Sequence, residues 1–260
     1  MIKDSLRQKK RIGFTIGLIL CDQLRDQFSG DFPEYEAMFK SAFEEETLKF
    51  TWKTFYAVTG EFPTDLDLCD GYLISGSRSS VYEGEKWMLS LEDFINKLNR
   101  KNKPTVGLCF GHQIMAKALG GTVICAPEGW GIGFARCSVD SGISRNQLAL
   151  PEELTVGVCH RDQVVKLPAG ATNIGSTPHC NNFLIQFTPK MIGFQGHPEF
   201  EPAYISALIE EAKNRLTPQE YSVALQSKKN APDNQLIRKA ITKFLTRQTE
   251  HSQLSALKKT

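Results

Sequence analysis

One of the seven cysteines in this 260-residue chain lies between two glycines, in the stretch TVGLCFGHQI (residues 105–114). A strand-like apolar run ends at Leu108 and a helix-like run begins near Gly111, which puts Cys109 in the turn between them. A nucleophile in a sharp strand-to-helix turn needs small neighbours two positions away, here Gly107 and Gly111. The helix N-terminus favours a thiolate and offers N–H groups to an oxyanion. A buried cysteine in a tight turn fits the same spacing.

A second stretch, GFQGHPEF, contains the histidine best placed to act as a base for a thiol. A cysteine nucleophile needs a base that a third group orients. Of the five histidines, His112 lies too near the cysteine in sequence, and His251 lies near the C-terminal end. His197 has Glu199 two residues on, and side chains at that spacing share a face in an extended segment. Glu199 would then orient the imidazole, whereas a surface turn at a strand end is the alternative interpretation.

The elements around these stretches predict an α/β fold. Apolar strand-like runs alternate with amphipathic helix-like runs, which indicates a mainly parallel sheet with right-handed crossovers. The predicted strands cover residues 11–20, 48–58, 71–76 and 105–109, and the predicted helices cover 32–45, 85–99 and 112–121. Short runs over residues 122–195 predict antiparallel additions to the sheet, and helices follow from residue 202. The expected architecture is a flavodoxin-like three-layer sandwich with a helical C-terminal extension.

Composition excludes several classes of function. The net charge of +2 and the 23% of charged residues give no argument for nucleic acid or a membrane surface as partner. The apolar run from Ile12 to Leu20 is too short to span a membrane and lacks a cleavage site, so we expect a cytoplasmic protein. The cysteines form no CxxC pair, and we expect reduced thiols, no metal and no cofactor. The other six cysteines are interpreted as packing residues.

The two stretches, taken together and in this order, resemble the class I (triad-type) glutamine amidotransferases. The elbow of that family reads like GLCFGHQ, and its base motif reads like the HPE of FQGHPEF. The resemblance runs from about Arg11 to about Lys213, between a basic N-terminal lead (residues 1–10) and a helical extension (residues 214–260). The stretches GEFPTDLDLCDGYLISGSRSSVYE and CHRDQVVKLP are similar to the free-standing, GMP-synthase-like branch that includes plant γ-glutamyl peptidases.

The resemblance implies a role for each matching residue. It makes Cys109 the nucleophile on a γ-glutamyl carbonyl, His197 the proton carrier and Glu199 its orienting acid. It also implies an oxyanion hole from the backbone N–H groups of Gly76 and Phe110, and contact of the glutamyl group with Gln113. Many family members have a second glycine or a proline after the equivalent of Gly76, where this chain has Ser77 and Arg78. We expect Arg78 to face solvent, with a substrate carboxylate as the alternative.

Three functions follow from this resemblance. The preferred one is a stand-alone hydrolase or peptidase that acts on a small γ-glutamyl substrate. The second is a glutaminase subunit that delivers ammonia to a separate synthetase, and the third is a catalytically silent relative. The chain has no Walker-type phosphate loop, and the helices after Thr217 are too short for a synthase. These helices are expected to pack against the core or to form a contact in a homo-oligomer.

Overall fold

The computed structural model of the chain describes residues 13–44, 49–140, 142 and 148–257, with side chains described as far as residue 246. The basic lead over residues 1–10 lies outside the described residues. The strands are β1 (Phe14–Leu20), β2 (Phe50–Tyr56), β3 (Gly71–Ile74), β4 (Thr105–Leu108), β5 (Thr122–Cys125), β6 (Gly131–Val139), β7 (Glu153–His160), β8 (Asp162–Lys166), β9 (Thr172–Ser176), β10 (Leu184–Thr188) and β11 (Met191–Phe194). The helices are α1 (Tyr35–Ala42), α2 (Lys86–Arg100), α3 (Phe110–Ala118), α4 (Pro202–Ala212), α5 (Pro218–Ser227) and α6 (Asn234–Leu257).

A nine-stranded sheet forms the centre of the molecule, in the order β2-β1-β3-β4-β11-β10-β9-β6-β7. The neighbours from β2 to β11 pair in parallel, and the neighbours from β11 to β7 pair antiparallel. Strands β5 and β8 form a separate antiparallel pair. The predictions of a mainly parallel sheet, antiparallel additions and helices on both faces are therefore confirmed.

Each face of the sheet buries its own apolar core. Ile16, Leu18 and Leu20 of β1 alternate onto the face that α1, α4 and α6 cover. Ile19 points to the other face, which α2 and α3 cover. A fully buried aliphatic side chain of this kind contributes about 1.5–3 kcal/mol. Helices therefore cover both faces of the sheet around β1, and the strand ends carry the loops.

Three adjacent strand ends determine where the predicted site forms. Strands β3, β4 and β11 are parallel neighbours, and the last pairings along β4 and β11 join Gly107 to Gly193 and Leu108 to Phe194. Parallel strands end at the same edge, so the segments after Ile74, Leu108 and Phe194 emerge side by side. Ligands of open α/β sheets bind at this carboxyl edge.

The C-terminal helices pack on the domain. Helix α5 begins with a capping box between Thr217 and Glu220, and Glu220 also accepts a hydrogen bond from the backbone N–H of Trp130 at 2.9 Å. On α6, Ile237 and Leu245 join the core that α1 and α4 bury. Within the described residues, no helix is both long enough and apolar enough to cross a membrane.

Candidate active site

Cys109 lies in a strained turn between β4 and α3. Its φ of 50° and ψ of −103° lie outside the conformations that a non-glycine residue prefers, which costs about 1–3 kcal/mol. Its backbone N–H donates to the carbonyl oxygen of Phe194 at 2.7 Å, which holds the turn against β11. A Cβ on Gly107 would lie 2.5 Å from the backbone of Gly111. The predicted spacing therefore has a steric cause, because β4 and the first turn of α3 approach closely at these two glycines.

His197 and Glu199 lie side by side just after β11. The imidazole Nδ1 and the carboxylate Oε1 are 2.8 Å apart, with the His197 side chain 6% exposed and the Glu199 side chain fully buried. The prediction placed them together on an extended segment, but the backbone turns here, and Phe200 donates to the carbonyl oxygen of His197 at 3.3 Å. The ring of Phe200 stacks on the imidazole at a centroid distance of 4.4 Å. The predicted contact between His197 and Glu199 is therefore present, but a turn produces it and not an extended segment.

The surroundings of His197 favour its charged form. Burial by itself lowers the pKa of the imidazole, but the charges of Cys109 and Glu199, and hydrogen bonds to both, outweigh burial and raise the pKa to about 10. Burial lowers the pKa of His112 to about 4 and that of His160 to about 3. His112 and His160 therefore stay neutral at pH 7, whereas His197 is held as an imidazolium beside the cysteine.

Gly76 follows β3 and lies against the side chains of His197 and Cys109. A Cβ on Gly76 would lie 2.9 Å from Cε1 of His197 and 3.6 Å from Cβ of Cys109. Among the described residues, the backbone N–H groups of Gly76 and Phe110 donate to no protein acceptor. Two uncommitted N–H groups beside a nucleophile are the donors that a developing oxyanion needs.

Two buried glutamines extend the site behind the sulfur. Gln195 donates from Nε2 to Sγ of Cys109 at 3.5 Å, and it accepts from Nε2 of Gln113 at 3.1 Å. Gln113 also donates to the carbonyl oxygen of Asp162 at 2.7 Å. Gln195 was not predicted as a site residue, although it stands in the stretch FQGHPEF. The only available signal was its position two residues before His197, and that spacing does not reveal which way the side chain points.

One cavity of about 540 Å³ receives most of the predicted site residues. Cys109, His197, Glu199, Gly76 and Gln113 all line it. Phe110 directly follows Cys109 in the chain, and its ring packs on Trp87 at a centroid distance of 5.4 Å. The structure thus brings the six predicted residues together from three strand ends.

Comparison with known proteins is consistent with this geometry. The protein-family model described as "Glutamine amidotransferase class-I" matches residues 37–210 of this chain. The chain belongs to the class I glutamine amidotransferase family. The matched region contains β2 to β11 and nearly all of α4, and so includes every residue of the site described above.

Relatives and solved structures agree with this family assignment. The chain is 30% identical to γ-glutamyl peptidase 3 of Arabidopsis thaliana over 92% of this chain and 98% of that protein. It is 34% identical to a glutamine-hydrolysing GMP synthase of Macrococcus caseolyticus over 50% of this chain but 24% of that protein. Its fold is similar to a crystal structure of a glutamine amidotransferase from Methylobacillus flagellatus, with a TM-score of 0.67, 18% identity and coverage of 89% of this chain and 95% of that one.

In this family member, Arg78 is not simply a solvated side chain. Its backbone N–H and its Nε each donate to Oδ2 of Asp22 at 2.9 Å, and its Nη2 donates to Oδ1 at 2.8 Å. Arg78 is exposed, as expected, and it also forms an ion pair with Asp22 that the sequence did not predict. Asp22 follows β1, so this ion pair ties the loop that begins at Gly76 to the neighbouring strand end.

Burial governs the thiols of five other cysteines. Burial raises the pKa of Cys137, Cys159 and Cys180 to about 12, and it raises the pKa of Cys21 and Cys69 as well. These five thiols are therefore held protonated. Cys125 and Cys159 also line the cavity, so packing is an incomplete account of those two. All seven cysteines are free thiols.

Proposed function

We propose that this chain is a cysteine hydrolase that cleaves the γ-glutamyl amide bond of a small γ-glutamyl peptide through a thioester at Cys109. One observation carries the proposal: His197, oriented by Glu199 at 2.8 Å, shares a cavity with an elbow cysteine and with the N–H of Gly76. In this proposal Cys109, His197 and Glu199 form a catalytic triad.

The first half-reaction releases the amine. The Cys109 thiolate attacks the γ-carbonyl carbon, and the negative charge moves to the carbonyl oxygen. The N–H groups of Gly76 and Phe110 stabilise this oxyanion, and such a donor typically contributes ~3–4 kcal/mol. When the C–N bond breaks, the imidazolium of His197 gives its proton to the leaving nitrogen. The product is a γ-glutamyl thioester on Cys109 together with a neutral His197.

The second half-reaction restores the site. Neutral His197 takes a proton from a water molecule, and the oxygen of that water attacks the thioester carbonyl. The C–S bond breaks, glutamate leaves, and the thiolate and imidazolium are both present again. Glu199 holds the Nδ1 side of the ring throughout, which leaves Nε2 to carry the proton in both directions.

Peptide cleavage is preferred to ammonia delivery because of what the relatives share with this chain. The match to γ-glutamyl peptidase 3 extends over 98% of that protein. The match to GMP synthase covers 24% of that protein. This second match supports one further candidate, a glutaminase subunit that delivers ammonia to a separate synthetase.

The test is hydrolysis by the purified full-length chain without any partner. A γ-glutamyl dipeptide and glutamine are supplied separately, and released glutamate is measured. Cys109→Ala is compared with Cys125→Ser, a matched control because Cys125 lines the same cavity. We expect dipeptide cleavage by the wild type, a loss of roughly 10³-fold or more in Cys109→Ala and near-normal cleavage in Cys125→Ser.

A covalent intermediate gives a second readout. Acid-quenched wild-type protein should carry one γ-glutamyl group on the peptide that contains Cys109, as detected by mass spectrometry. Negligible cleavage of both substrates, with glutamine turnover appearing once a synthetase is added, would favour the glutaminase subunit. If Cys109→Ala cleaved the dipeptide as fast as the wild type, the thioester mechanism would be wrong.

A further inference from the structure

Four arginines line the cavity. Three of them are paired with carboxylates of the protein. Arg78 pairs with Asp22 at 2.8 Å, Arg25 pairs with Glu211 at 2.8 Å, and Arg215 pairs with the same Glu211. A guanidinium that is already paired has lost much of its attraction for another anion. These three arginines are therefore best understood as supports of the cavity wall.

Arg161 is different. It is exposed, and within the part of the chain that the structure describes its guanidinium has no ion-pair partner. The neighbouring carboxylate, Asp162, instead accepts a hydrogen bond from the hydroxyl of Tyr82 at 2.9 Å, across the cavity. Among the residues that the structure describes, Arg161 is thus the one cavity arginine without an ion-pair partner.

The position of Arg161 places it within reach of a bound substrate. It forms the bend between β7 and β8, two residues after Cys159, and the carbonyl oxygen of Cys159 lies 3.9 Å from Sγ of Cys109. A fully extended chain advances about 3.3 Å per residue, so the backbone of Arg161 lies within a short peptide's length of the nucleophile. Its side chain is therefore long enough to reach groups attached to the scissile amide.

We infer that Arg161 binds a carboxylate of the substrate. A guanidinium binds a carboxylate through two parallel N–H···O bonds, and an unpaired one does so without first breaking an internal ion pair. The inference deepens the proposed function and depends on it. γ-Glutamyl compounds offer a carboxylate in two places: on the α-carbon of the glutamyl group, and at the C-terminus of the leaving peptide.

Binding to an inactive protein tests this directly. The full-length Cys109→Ala protein is titrated by calorimetry with three compounds: a γ-glutamyl dipeptide with a free C-terminus, the same dipeptide with a C-terminal amide, and glutamine. Each titration is repeated with three double variants, in which the Cys109→Ala protein also carries Arg161→Gln, Arg161→Lys or Arg136→Gln. Arg136 is the matched control because it is an exposed arginine on β6 whose nearest carboxylate, that of Glu153, lies 3.9 Å away.

The pattern of losses identifies which carboxylate is bound. We expect Arg161→Gln to weaken binding roughly tenfold to a hundredfold, as loss of a charged hydrogen-bonded pair does. Arg161→Lys should recover part of this loss, and Arg136→Gln should change nothing. A loss confined to the free dipeptide assigns the C-terminal carboxylate, whereas an equal loss for all three compounds assigns the glutamyl α-carboxylate.

Other outcomes overturn the inference. If Arg161→Gln binds every compound as tightly as its parent, or if the Cys109→Ala protein binds none of them, Arg161 is only a solvated surface side chain. The turnover assay distinguishes this failure from failure of the proposed function. If the wild-type protein cleaves the dipeptide and Arg161→Gln leaves that cleavage unchanged, the proposed function stands and only the inference about Arg161 fails.

Discussion

Arg238 donates from Nε to the carbonyl oxygen of Pro198 at 2.6 Å, so the last helix of the chain holds the backbone between His197 and Glu199. On the same helix, Asn234 donates from Nδ2 to the carbonyl oxygen of Phe200 at 2.8 Å. Two hydrogen bonds thus connect α6 to the turn that carries the imidazole and its carboxylate. The C-terminal extension supports the candidate site from behind, in addition to covering the sheet.

Arg238→Ala should reduce turnover more than substrate binding. The substitution removes a charged donor from the Pro198 carbonyl oxygen, an interaction of about 1.5–3 kcal/mol, and loosens the turn. We expect kcat to fall roughly tenfold while KM changes less than about threefold. Lys239→Ala, an exposed neighbour on α6, serves as the control. Equal falls in both variants would mean that Arg238 contributes only to general stability.

Glu199→Gln should move the alkaline limb of the activity profile to lower pH. The carboxylate of Glu199 helps to raise the pKa of His197 to about 10, so its removal lowers that pKa. In the proposed mechanism the imidazolium supplies a proton to the leaving nitrogen, so we expect activity to fall as pH rises through this pKa. The measurement is kcat/KM for a γ-glutamyl dipeptide between pH 6 and pH 11, with folding monitored by circular dichroism. If the alkaline limb did not move, Glu199 would not have the proposed role of raising the pKa of His197.

Gln195→Glu tests the hydrogen bond behind the sulfur. The change keeps the shape of the side chain but replaces a donor to Sγ of Cys109 with a carboxylate, which repels a thiolate. We expect a loss of roughly 10²-fold in kcat/KM and slower alkylation of Cys109 by iodoacetamide at pH 7, measured by mass spectrometry. Gln163→Glu is the matched control, because the buried Gln163 bonds the backbone carbonyl of His179 instead. Comparable alkylation rates for the two variants would contradict a role for Gln195.

Asp22→Asn should disorder the loop that presents the Gly76 N–H. The Asp22 carboxylate accepts three hydrogen bonds from Arg78, and an amide cannot replace the charged pair. We expect kcat to fall several-fold, because the oxyanion donor is held less firmly. A double-mutant cycle with Arg78→Gln should give a coupling energy of about 1 kcal/mol. Additive effects of the two substitutions would show that the pair does not act through the loop.

The elbow and the base motif are features of local sequence, and for that reason they could be predicted. Gly107 and Gly111 flank Cys109 because adjacent backbone segments approach within a few ångströms, and that requirement is visible in spacing. His197 and Glu199 stand two residues apart, so almost any compact backbone brings them together. The prediction of their contact was confirmed, although a turn replaces the expected extended segment.

The remaining features depend on contacts between residues distant in sequence, and no spacing encodes them. Asp22 meets Arg78 across two strand ends, Gln195 meets the sulfur from behind, and Arg238 reaches the Pro198 carbonyl from the last helix. The sequence by itself determined the family, the layered α/β fold and the side chains that are proposed to react. Only the tertiary structure decided which of the four cavity arginines lacks an ion-pair partner among the described residues, because the carboxylates that neutralise the others reach them through the folded chain.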